Sequence, residues 1–189
     1  MPDRPDIRIN ESYRDYQPPF DAQNVVRKLL EPIPDKYLRG LDCIVLTSES
    51  SLSRKDRVGK VWARKRKFDK SQVRGRYHSA WQGRLPWIEI RVDKTIEGWG
   101  KAPSWLWHLP ILPSLCIGEV LYHELGHHIH DCVHPEYREK EDVADNWRKK
   151  LMANLFRKKY WYLLPIVIPM GKAYRFAKRR RHNRSSTNA

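Results

Sequence analysis

The chain is predicted to be an α+β domain, on three observations. Trp87-Ile88-Glu89-Ile90-Arg91-Val92 alternates, with Trp87, Glu89 and Arg91 on one face and Ile88, Ile90 and Val92 on the other, the period of a half-buried strand. Cys43-Ile44-Val45-Leu46-Thr47 is short, apolar and β-branched and reads as a second strand. Val143, Trp147, Leu151, Leu155 and Phe156 recur instead at helical spacing, and the apolar run from Ile111 to Tyr122 is long enough for a buried helix.

In chain order, residues 1–20 read as irregular, because prolines and charges interrupt any period. A helix is expected at 22–30, stopped by Pro32 and Pro34. The strand at 41–47 is followed by a serine-rich turn at 48–53. Between 59 and 78 the sequence suggests a strand near 59–63 and a hairpin arm near 72–78, separated by a basic loop. The strand at 87–92 is expected at a sheet edge. Residues 99–113, rich in Trp and Pro, read as a packed loop, and helices are expected at about 114–130 and 138–158. Residues 1–40 are thus an N-terminal extension, 41–158 the domain, and 159–189 an apolar and then basic C-terminal extension. The Tyr13–Tyr16 stretch either covers a cleft, as a propeptide would, or packs against the domain.

Composition narrows the function classes. The three cysteines, Cys43, Cys116 and Cys132, form neither a disulfide framework nor a C-x-x-C thiolate pair. The first ten residues have no apolar core of a secretory signal, so an intracellular, cytoplasmic setting is expected. The apolar stretch 160–170 contains Pro165 and Pro169 and is well short of the roughly 20 residues that span a bilayer, leaving at most peripheral membrane attachment. Net charge is +15, and it is uneven. Residues 54–84 hold 12 Lys and Arg against Asp56 and Asp69, and residues 148–189 hold 13 and no acid. Segments 54–84 and 148–184 therefore suggest acidic partners, either nucleic acid or a DNA-bound protein.

The chemistry is concentrated in His123-Glu124-Leu125-Gly126-His127. On a helix, histidines four residues apart share a face and can bind Zn²⁺, while the glutamate between them takes a proton from a water that the metal activates. Three fixed positions in five recur by chance, so the third ligand decides the reading. A downstream Gly-x-x-His extension fails, because His130 and Val133 stand where it needs Gly and His; His134 is one residue out of register. A carboxylate is the other solution, and Glu136, Glu139 and Glu141 are available. Glu141 alone has an acid four residues on, in Glu141-Asp142-Val143-Ala144-Asp145. On one helix face Glu141 could bind the metal while Asp145 orients a ligand histidine. The favoured set is His123, His127 and Glu141 with water fourth, and His134 stays as the alternative. Tyr77 and His78 are candidates for stabilising a developing oxyanion.

These two motifs resemble the ImmA/IrrE family and related minimal gluzincin-type metallopeptidases over about residues 41–156. The resemblance implies a compact zincin-like fold, a small mixed sheet packed on the motif helix, with the third ligand on a second helix. It implies zinc held by His123, His127 and Glu141, Glu124 as general base, and a protein or peptide substrate such as a transcriptional repressor. Asp145 departs from the asparagine many relatives carry, and the basic segments lie outside the family core. The competing reading is a catalytically inactive, zinc-stabilised adaptor that binds nucleic acid or a regulatory partner. An intact Glu124 argues against it, since a structural zinc site needs no base.

Overall fold

The computed structural model describes residues 4–63, 66–100, 103–133 and 141–163. The chain divides into two compact units, Met1–Met152 and Ala153–Ala189. The first holds a four-stranded sheet in the order β1-β2-β6-β5. Strands β1 (Arg8–Ser12), β2 (Cys43–Thr47) and β6 (Trp87–Arg91) run parallel, and β5 (Gly75–His78) pairs antiparallel with β6. The sheet is therefore mixed. A separate ribbon pairs β3 (Lys60–Ala63) with β4 (Arg66–Asp69).

Parallel strands need a crossover, and α1 (Ala22–Leu30) supplies the one between β1 and β2. The Asp21 side chain accepts the Asn24 N–H at 2.8 Å and caps the helix, which ends before Pro32 as its sequence predicts. Ala22, Val26, Leu29 and Leu30 form its buried stripe. They face α4 (Ile111–Val133), where the Tyr122 hydroxyl donates to the Leu29 carbonyl at 2.8 Å. Helix α5 (Glu141–Lys159) follows; the short α2 (Arg54–Arg57) lies between β2 and β3, and α3 (Val92–Glu97) leads from β6 toward α4.

The two faces of the sheet do different work. Ile44, Leu46, Ile88 and Ile90 are fully buried on the helix-covered side. Gly75, opposite Ile90 in register, lies on the same side, and a Cβ there would collide with Val120 of α4. Cβ-free backbone is what lets β5 lie directly on the helix. On the other face Arg91, 2% exposed, donates to the Lys70 carbonyl at 2.6 Å and sits 3.4 Å from Glu89. That buried cation secures the turn at Lys70–Gln72 against the sheet.

Several local expectations are corrected. Residues 8–12 are not irregular but form β1, held by its backbone pairing with β2. The 59–63 strand pairs with β4, while the 72–78 arm pairs with β6. Strand β6 is interior, and β1 and β5 are the edges. Helix α4 begins at Ile111, because Pro113 falls in the first turn, where its missing N–H costs no helical bond. Within the 99–113 loop, Ser104–His108 forms a 3₁₀ turn whose Trp107 stacks on Phe20 with ring centres 5.7 Å apart. The Tyr13–Tyr16 stretch meets the end of β2: the Arg14 N–H donates to the Ser48 hydroxyl at 3.2 Å, and Ser50 bonds the Arg14 carbonyl. Among the described residues no helix is long and apolar enough to cross a membrane. Most of 160–170 and of the terminal basic segment lies outside those residues.

Candidate metal centre

Helix α4 carries the two motif histidines on one face, one turn apart. Their Nε2 atoms are 3.2 Å apart, with the rings at 88°. Glu141, the first residue of α5, places Oε2 3.3 Å from His123 Nε2, and the three ligand atoms lie within 4.8 Å of one another. Zinc bonds of roughly 2.0–2.1 Å at tetrahedral angles separate neighbouring ligand atoms by about 3.3 Å. Two edges of the cluster already have that length. Two imidazoles and one carboxylate also suit a divalent ion such as Zn²⁺, so the residues fit the metal.

Asp145, one turn after Glu141 on α5, lies with Oδ1 3.1 Å from His123 Nδ1. An ionised carboxylate only accepts, so Nδ1 carries the proton and Nε2 keeps its lone pair for a metal. Glu141 and Asp145, four residues apart on α5, thus both lie beside His123. The helices come this close because Gly126, inside the motif, faces Ala144. A Cβ at 126 would sit 2.8 Å from both the Ala144 Cα and its carbonyl oxygen, and 3.1 Å from the Trp147 Cβ. Gly126→Ala is expected to push α5 away from α4 and weaken zinc binding at least about 10-fold, as loss of ligand geometry does. Its stability should fall by roughly 0–2 kcal/mol, because overpacking of about 1–3 kcal/mol is partly offset by the helical gain of roughly 1 kcal/mol over glycine. Zinc titration beside thermal unfolding separates the two effects, and wild-type affinity in the variant would refute this account of the close approach.

Glu124 is 7% exposed and lies on the sheet side of α4. Its Oε2 accepts the Tyr77 backbone N–H at 2.9 Å. Burial pushes its pKa above the usual carboxylate value, against the opposing influence of His123, His127 and the Tyr77 N–H; the Glu141 charge adds to the rise.

Of the two oxyanion candidates, only Tyr77 reaches this region. Its hydroxyl donates to Asp131 on the last turns of α4 at 2.9 Å, and its ring lies 5.7 Å from that of His128. Strand β5 is therefore fastened to α4 at two points along one residue. His78 points to the opposite face of the sheet, stacked on Trp87 at 3.8 Å with its Nε2 3.4 Å from Glu89. Despite the cost of burial, His78 and Arg91 hold Glu89 below its ordinary pKa.

The neighbouring histidines are placed elsewhere. His128 is fully buried, with Nε2 3.2 Å from the Arg39 carbonyl, and burial lowers its pKa. His130 is buried, while His134, Glu136 and Glu139 lie outside the described residues. Sequence reasoning missed Glu119 and Arg148, which meet across the helices at 3.2 Å. The available signal was their helical spacing from His123 and Asp145. No family model, curated protein or solved structure matches this chain.

Proposed function

We propose that this chain is a zinc-dependent metallopeptidase of the gluzincin type, as its likeness to ImmA/IrrE proteins implies. The observation that carries the reading is the position of Glu124: a buried carboxylate on the turn between two clustered histidines, beside strand β5 at the edge of the sheet. His123, His127 and Glu141 would hold the metal, with Asp145 orienting His123. Bound zinc would polarise the scissile carbonyl and acidify a water. Glu124 accepts the proton of the attacking water and returns it to the leaving nitrogen.

Strand β5 offers the substrate its place. The Arg91 N–H donates to the Arg74 carbonyl, so along the antiparallel ladder Arg74, Arg76 and His78 bond inward to β6. The backbone of Gly75 faces outward, and an extended peptide adds there by strand pairing, while the outward N–H of Tyr77 is already taken by Glu124. The edge expected of the 87–92 strand is thus supplied by β5, since β6 is interior. By likeness alone, the substrate is an intracellular regulatory protein such as a DNA-bound repressor. Exposed Arg54, Lys55 and Arg57 supply part of the positive surface that suits such a partner.

The test is to incubate the full chain, loaded with zinc, with a mixed peptide library and identify products by mass spectrometry. Cleavage that stops on chelation and returns with added zinc is the expected result. One zinc per chain with no cleavage, together with salt-dependent retention on DNA, would favour the adaptor instead.

A further inference from the structure

Helices α4 and α5 are bridged a second time, outside the three metal ligands. Arg148 lies on α5 one turn after Asp145, and Glu119 on α4 one turn before His123. One guanidinium nitrogen, NH1, is 3.2 Å from Glu119 Oε2; the other, NH2, is 3.5 Å from Asp145 Oδ1. The same Asp145 oxygen is the one that lies 3.1 Å from His123 Nδ1. A single chain of contacts thus runs from Glu119 through Arg148 and Asp145 to His123 and on to Glu141, crossing between the helices three times.

We infer that Arg148 is a positioning residue for the metal centre, acting through Asp145 on His123. The inference rests on the proposed metal site and goes beyond it, because Arg148 touches none of the three ligands in the cluster. Asp145 alone could turn about its side-chain bonds and still accept a hydrogen bond. A guanidinium is a planar fork, and one held at its far end by Glu119 fixes where the Asp145 oxygen sits. That oxygen sets the direction of the His123 ring and hence of Nε2. Arg148 is only 28% exposed at its side chain and Asp145 19%, so water competes for the contact less than at an open surface pair. Lysine could satisfy one carboxylate but not reproduce the fork across both.

The test is zinc affinity of the full metal-free chain, measured by competition with a chromogenic chelator. It compares wild type, Arg148→Ala, Arg148→Lys and Glu119→Gln, with chemical unfolding of each metal-free protein alongside. Partners one step out from a ligand typically carry 10–100-fold in metal affinity; Arg148, a step further, is expected to carry about 10-fold. Arg148→Lys should recover part of that loss. Glu119→Gln should weaken binding less, and its effect should largely vanish in the Arg148→Ala background. A bridge that merely joined the helices would lower apo stability in all variants and leave zinc affinity per folded chain unchanged. That result, in wild type and variants that all bind zinc, would overturn the inference alone. A wild-type chain that binds no zinc would overturn both it and the proposed function. If Arg148→Ala fails to fold, Arg148→Lys against Glu119→Gln decides the point.

Discussion

Glu124→Gln is expected to abolish peptide cleavage while leaving the zinc in place. Glutamine matches glutamate in size, and its carbonyl oxygen can accept the Tyr77 N–H that Oε2 accepts at 2.9 Å. The buried position therefore stays filled and hydrogen-bonded, so the cluster on either side has no reason to move. What is lost is the capacity to take and return a proton, typically worth about 10²–10⁴-fold in rate. Initial rates on any peptide the wild type cleaves, with elemental zinc on the same samples, give the answer. Near-wild-type cleavage by the variant would remove Glu124 from the chemistry. Loss of zinc together with rate would show that the substitution disturbs the site, and would leave the proton-shuttle role without support.

Glu141→Ala is expected to produce the largest loss of metal. Removing a direct ligand should exceed the effect of losing an outer partner, so affinity should fall by more than about 100-fold. The substitution has a second effect that must be separated. Glu141 stands in the first turn of α5, where acids favour the helix by roughly 0.3–1 kcal/mol. Asp142 stands in the same turn and outside the cluster, so Asp142→Ala carries the helix cost without the ligand cost. The expected pattern is near one zinc per chain in wild type and Asp142→Ala, with little in Glu141→Ala. Unchanged zinc in a folded Glu141→Ala protein would move the third ligand elsewhere, with His134 the next residue to replace.

What the sequence made legible was chemistry with a local period. The helix at Ala22–Leu30 was marked by two downstream prolines, while its Asp21 cap and its buried stripe are read from the structure. The histidine pair and the Glu141–Asp145 pair follow from helical spacing alone, and their joining needed only two helices to approach. That approach rests on Gly126 facing Ala144, and Gly126 reads in sequence as an ordinary motif position. Strand β1 was illegible because Arg8-Ile9-Asn10-Glu11-Ser12 is mostly exposed and lacks an apolar alternation; its pairing with β2 is a non-local backbone contact. The order of β5 and β6 was hidden for a related reason. Gly75-Arg76-Tyr77-His78 is polar because it lies at an edge, and the more apolar Trp87–Arg91 is apolar because it lies inside. The Glu119–Arg148 bridge spans 29 residues, and helical spacing from His123 and Asp145 marks each residue separately without showing that they meet.

The double fastening of Tyr77 sets the entropy of recruiting a chain at this edge. An ordinary edge strand frays, and a ligand that pairs with it must order both partners, at about 1–2 kcal/mol for each backbone residue fixed. Here the main-chain N–H is tied to Glu124 and the phenol to Asp131, so the host strand is stiffened along α4 before anything arrives. On the proposed docking at β5, an incoming peptide would bear the ordering cost of its own backbone alone, and the edge would behave as a preset template.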